Sequence, residues 1–102
     1  MASQNNIKIS REAIINYCKQ HNIIEFALFG SVLTNQFHSN SDIDVLVTFK
    51  PDCHYSFYDI MAIQEDLEGM FDRPVDLVEK QSLKNPFRRH TILNTMEVIY
   101  AA

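Results

Sequence analysis

Three aspartates and a Gly-Ser step carry the chemistry of this chain. Asp42 and Asp44 stand one residue apart at the head of the apolar run Val45-Leu46-Val47, and Asp76 sits between Val75 and Leu77. Aspartate is a poor strand residue, and a carboxylate resists burial unless something pairs with it. On a strand, residues i and i+2 point to the same face, so Asp42 and Asp44 share one side while Ile43 and Val45 face the other. If the two apolar runs are neighbours, all three carboxylates converge. Three like charges a few ångströms apart either raise one another's pKa values or draw in cations. Oxygen-only ligation suits Mg²⁺ or Mn²⁺, and Mg²⁺ is commonly held by one or two carboxylates plus substrate phosphates. Two such ions, roughly 4 Å apart, can activate an attacking hydroxyl and stabilise a leaving pyrophosphate.

The other half is Gly30-Ser31, at the end of the run Phe26-Ala27-Leu28-Phe29. Gly30 lets the backbone approach a ligand closely. A short helical turn from Ser31 to about Asn35 would present free N–H groups to phosphate, and the Ser31 hydroxyl adds a donor. Taken singly, each residue has a plainer reading. Gly30 is a turn glycine, Ser31 or Asp42 a cap, and Asp76 a partner for Arg73 or Lys80. Together they place a triphosphate between the glycine corner and a metal site.

The elements that must position these residues read as follows. Residues 1–9 are expected to be a loose or edge segment. Ser10 is a good N-cap with Glu12 in the first turn, and Ile14, Tyr17, Cys18 and His21 follow at helical spacing, giving a helix over about 11–21. Ile23 to Phe29 reads as the first strand. Asn35 tolerates a left-handed closing conformation, and Gln36 to Ser41 reads as loop. Asp42 to Phe49 is the second strand, broken by Pro51-Asp52. Ser56 and Asp59 form a capping box ahead of a helix over 57–71, whose end Gly69 weakens. Val75 to Val78 is the third strand. Asn85-Pro86 is a helix start, and Phe87, Ile92, Leu93, Met96, Ile99 and Tyr100 continue it as a helix to the C-terminus. The expected fold class is α/β (α+β), with a three-stranded mixed sheet packed with helices.

Composition bounds the rest. The 102 residues are expected to form one domain, 1–102, and a hydrophobic fraction of 46% supplies a core without staples. The net charge is −4, from 13 acids against 9 bases, a sign that argues against a polynucleotide as the main substrate. Five of the 9 bases (Arg73, Lys80, Lys84, Arg88 and Arg89) lie between residues 73 and 90. Cys18 and Cys53 have no metal-like or redox spacing and read as free thiols of a reducing compartment. With a polar N-terminus and no run of membrane-spanning length, the expected location is the cytoplasm. The four histidines lack ligand spacing; His38 falls in the loop beside the acids. Tyr55 and Tyr58 read as helix packing, with a partner surface second, and Glu65, Asp66, Glu68 and Asp72 as a solvated helix face.

Gly30-Ser31, ten intervening residues, then Asp42-Ile43-Asp44 resemble the signature of the DNA polymerase beta-like nucleotidyltransferase superfamily, and Asp76 matches its third acid. The short length, Pro74-Val75-Asp76-Leu77-Val78 and Ile99-Tyr100-Ala101 resemble the minimal nucleotidyltransferase (MNT) group. The resemblance spans about Ile24 to Tyr100. It implies that Asp42 and Asp44 hold two metal ions, that Asp76 binds the catalytic ion and helps deprotonate the acceptor, and that Gly30 and Ser31 hold the nucleotide triphosphate. It further implies an MNT antitoxin of the HEPN/MNT type, which transfers AMP from ATP onto a tyrosine of a HEPN-domain RNase toxin. Two other activities stay open: neutralisation of the toxin by binding alone, and adenylyl transfer to a small molecule, for which dimerisation would have to build the acceptor site. A homo- or hetero-oligomer is compatible with this size. The family pattern Gly-Ser-x-Ala-Arg-Gly is departed from, since Thr34 stands at the arginine and Asn35 at the last glycine. The lost guanidinium is to be replaced, if at all, by a base such as Lys80 or Arg88.

Overall fold

The protein is described here by a computed structural model, over residues 10–34 and 41–102. The expected loose segment 1–9, the closing turn at Asn35 and the loop 36–40 with His38 lie outside the described residues. Helix α1 (Arg11–Gln20) opens on Ser10, whose hydroxyl accepts from the N–H of Glu12 and of Ala13. Strand β1 (Ile23–Phe29) follows through Asn22, which takes a left-handed φ of 60°. A four-residue 3₁₀ turn (Gly30–Leu33) leads towards strand β2 (Ile43–Phe49). Helix α2 (Phe57–Phe71) begins with the reciprocal capping box of Ser56 and Asp59. It runs two residues past Gly69 and ends where Asp72 adopts φ 55°. Strand β3 (Val75–Glu79), a second 3₁₀ turn (Lys80–Ser82), helix α3 (Pro86–Thr95) and strand β4 (Glu97–Ala101) complete the chain.

Strand β4 corrects the sequence-based expectation. The helix expected to reach the C-terminus stops at Thr95, and the sheet has four strands in the order β3-β2-β1-β4. Met96 is already extended (φ −64°, ψ 153°). The spacing of Ile92, Met96, Ile99 and Tyr100 satisfies a helical period, but β1 decides the outcome. Phe26, Ala27 and Leu28 have no exposed surface, so β1 is a central strand, and its outer row of N–H and C=O groups needs a partner. The run Glu97-Val98-Ile99-Tyr100, with two β-branched residues, supplies it in antiparallel register, Phe26 opposite Tyr100 and Leu28 opposite Glu97. Arg11 then closes the free side of β4, its guanidinium donating to the carbonyl of Ile99 at 3.0 Å and lying 3.6 Å from the Glu97 carboxylate.

The sheet is mixed, as expected: β1 pairs antiparallel with β2, and β2 pairs parallel with β3. Its two faces bury different sets of side chains. One face carries Phe26, Leu28, Ile43, Val45, Val47 and Phe49 against Ile14 and Cys18 of α1 and Ile63 and Leu67 of α2. The other carries Ala27, Phe29 and Leu46 against Leu83 and Ile92 of the α3 region. Each large side chain so buried contributes about 1.5–3 kcal/mol relative to exposure. Tyr55 is part of this packing, as its position suggested: it stacks on Phe49 at 4.2 Å and donates its hydroxyl to the carbonyl of His21 at 2.6 Å. Tyr58 remains 79% exposed. Both cysteines are free thiols, and burial pushes the Cys18 thiol up to about 12. No helix among the described residues is long and apolar enough to cross a membrane.

Candidate active site

The site is built where β1 ends. Phe29 pairs with Asp44 across the antiparallel ladder, and the next residue, Gly30, takes φ 80°. A side chain at position 30 is excluded twice over. That backbone conformation disfavours L residues, and a Cβ there would collide with the Oδ2 atom of Asp44. The glycine is thus where the backbone lies directly against an acid. The 3₁₀ turn that follows has no side chain capping its start. It is anchored by the buried Val32 and closed by Thr34, whose N–H and hydroxyl both donate to the Ser31 carbonyl at 2.9 Å.

Alternation along β2 sends Ile43, Val45 and Val47 into the larger core and turns Asp44 to the face that α3 covers. The parallel register sets Asp76 of β3 directly beside Asp44, on the same face. That pairing is fixed by the amide of Ile43 donating to the Pro74 carbonyl at 2.9 Å and by the Glu68 carboxylate accepting the Val75 N–H at 3.0 Å. Asp42 lies one residue before the strand and is exposed, as is Asp76, while Asp44 is half-buried. Burial raises the Asp44 pKa, and the charges of Asp76 and Asp42 raise it further. The residues singled out in the sequence therefore come together: Asp44 and Asp76 side by side, Asp42 within electrostatic reach, and Gly30 in contact with Asp44.

The donor set fits a hard divalent cation: oxygen ligands alone, with like charges that an ion would neutralise. Among the described residues, no group of three or more His, Cys, Asp or Glu side chains is gathered as a metal site.

The surrounding bases divide sharply. Lys80 is spoken for, its ammonium 3.0 Å from the Glu25 carboxylate, which also accepts from Thr48. Arg89 donates to the Lys80 carbonyl at 3.0 Å and Arg73 to the Ser41 carbonyl at 3.3 Å. Arg88 is the base whose charge lowers the pKa of Asp44, opposing the acids. Beside the Gly30 turn opens a cleft of about 500 Å³ lined by Gly30, Ser31, Leu33, Thr34 and Thr95, within the size range of ligand sites. Thr95 was not singled out in the sequence. Its signal is visible only once α3 is placed: it lies seven residues from Arg88, on the same helix face.

Comparison with known proteins identifies the family. Residues 12–102 match the family described as Polymerase beta, Nucleotidyltransferase. Protein adenylyltransferase MntA of Thermococcus cleftensis is 36% identical over 76 residues, 74% of this chain and 72% of that protein. A solved toxin–antitoxin with AMP-PNP superposes with a TM-score of 0.74 at 21% identity, covering 92% of this chain and 75% of its own. A tri-AMPylated HEPN toxin of Shewanella oneidensis in complex with MNT antitoxin gives a TM-score of 0.65 at 19% identity, covering 90% and 70%. The four-stranded mixed sheet has the fold of the minimal nucleotidyltransferases, and the chain belongs to the polymerase beta nucleotidyltransferases.

Proposed function

We propose that this nucleotidyltransferase is an antitoxin that moves AMP from ATP to a tyrosine hydroxyl of a partner HEPN RNase toxin. On this reading residues 1–102 form one minimal nucleotidyltransferase domain that works in the cytoplasm. The observation that carries the proposal is the alignment of Asp44 with Asp76 against the Gly30 turn, beside the cleft. The names of the relatives support it: an adenylyltransferase of 36% identity, and a fold shared with complexes holding AMP-PNP and an AMPylated HEPN toxin.

The chemistry follows from the placement. Gly30 and Ser31 hold the triphosphate, the glycine by close backbone approach and the serine through its hydroxyl. Asp42, Asp44 and Asp76 would hold Mg²⁺ or Mn²⁺, which supplies charge neutralisation at the attacking oxygen and at the leaving pyrophosphate. Asp76, exposed beside Asp44, would take the proton of the acceptor hydroxyl. The tyrosine oxygen forms a bond to the α-phosphorus, the bond from that phosphorus to the bridging oxygen breaks, and pyrophosphate leaves.

Incubating the protein with a HEPN toxin, ATP and Mg²⁺ and weighing the toxin tests this. A mass gain of one or more AMP groups on tyrosine is expected. An unchanged mass with full neutralisation would instead establish inhibition by cover.

A further inference from the structure

Helix α3 presents two different faces. Ile92, with Leu93 and Met96 beside it, packs on the sheet, while positions 88, 91 and 95 form an adjacent stripe one, two and three turns along the same edge. Thr95 at the far end of that stripe lines the cleft over Gly30 and Ser31. Arg88 at the near end is exposed, and α3 has no acid in its first turn to offset a cation there, where the helix dipole disfavours one. Among the described residues no carboxylate forms an ion pair with Arg88.

The helix N-terminus itself is closed to an anion. Pro86 has no N–H, and the Asn85 side chain already accepts from the amides of Phe87 and Arg88 at 3.0 and 3.1 Å. What α3 offers a negatively charged ligand is the Arg88 guanidinium. The neighbouring bases are committed elsewhere, Lys80 to Glu25 and Arg89 to the Lys80 carbonyl. A triphosphate entering beside Asp42, Asp44 and Asp76 meets three like charges, which a nearby base would help any ion to offset. A guanidinium suits it, because its planar fork takes two phosphate oxygens at once.

We propose that Arg88, on the same edge of α3 as the cleft-lining Thr95, grips the triphosphate of the nucleotide, a task for which Thr34 on the opposite turn has no cation. This rests on the nucleotidyltransferase reading of the site. It adds a grip from the last helix to the hold that Gly30 and Ser31 supply on the glycine turn.

The test is titration of the whole chain with ATP and with AMP, in Mg²⁺, by calorimetry. Arg88→Ala is expected to weaken ATP about tenfold to a hundredfold and AMP less than about threefold, since charged hydrogen bonds to the β- and γ-phosphates are what it removes. Arg88→Lys is expected to recover part of the loss as a point charge without the fork. Lys84→Ala, an exposed base that the site does not use, is expected to leave both ligands unchanged. Because Arg88 is exposed, its substitution leaves the melting temperature near that of the parent. Wild-type affinity for ATP in Arg88→Ala, or equal weakening of ATP and AMP, overturns the assignment while the nucleotidyltransferase reading stands. A parent chain that binds no ATP at all overturns both.

Discussion

The two faces of one sheet have been put to opposite uses, and β2 shows the division residue by residue. Ile43, Val45, Val47 and Phe49 look into a continuous apolar core between the sheet and helices α1 and α2. On the other side Leu46 alone reaches the smaller core under α3. Asp44 precedes it at the site, and Thr48 follows it, bonded to Glu25. Stability is concentrated on the first face. The second carries enough apolar contact to hold α3 down and gives its remaining positions to charge. A strand with a two-residue period can serve both purposes without compromise, because no residue is asked to do both.

Breaking one face at a time separates the two roles. The largest effect is expected from Asp44→Asn, which lowers AMP transfer about a hundred- to a thousandfold, as removal of a group that stabilises developing charge does, while circular dichroism stays that of the parent. Wild-type transfer by this variant would remove Asp44 from the site. The mirror image is Leu67→Ala on the apolar face. Loss of a fully buried leucine costs about 2–5 kcal/mol in urea unfolding, and the protein that remains folded transfers AMP normally. Gly30→Ala lies between them: a left-handed backbone and a clash with Asp44 are expected to cost about 1–3 kcal/mol and to lower transfer by displacing that carboxylate.

A subtler contrast is in pH. Burial and its acidic neighbours raise the Asp44 pKa, so between its unfolded value of about 3.9 and the raised folded value the native state binds more protons than the unfolded one. In metal-free buffer this carboxylate therefore destabilises the fold above its raised pKa, and the penalty is relieved as pH falls through that window. Melting curves of the parent against Asp44→Asn should converge on acidification and separate in favour of the variant at neutral pH. Curves that stay parallel would show that Asp44 is not strained by its neighbours. The smallest change is expected from Lys80→Met, which removes the half-exposed pair with Glu25 and should shift stability by less than about 1 kcal/mol in either direction.

Much of this division is legible in the sequence, because it is written in local patterns. Alternation fixed which side of β2 the acids occupy, Ser56 and Asp59 fixed the start of α2, and Asn85-Pro86 the start of α3. Strand β4 was hidden for a physical reason. Its identity depends on a bare edge of β1 some seventy residues earlier, while Ile92, Met96 and Tyr100 keep a helical spacing that no local residue contradicts. Thr95 and Arg88 are obscure for the same reason: their place beside the acids follows from where the sheet puts α3, and neither carries a spacing signature of its own. The choice between Lys80 and Arg88 as the base near the site could not be made from the chain, since both are simply basic residues after β3. It becomes visible once Glu25, on a strand far away in sequence, is seen to hold Lys80.

Among the described residues the only parallel pair in the sheet is also the one that aligns Asp44 with Asp76, and its two strands are joined by the whole of α2. That makes the crossover a ruler. An extra residue that shifted β3 by one position would turn Asp76 to the opposite face, dissolving the acid pair, and would take Val75 and Leu77 out of the main core with it. The exposed turn at Pro51 and Asp52, on the other side of α2, is not tied to that register and tolerates lengthening better. Variation in the length of this protein should therefore accumulate before α2 and be purged after it.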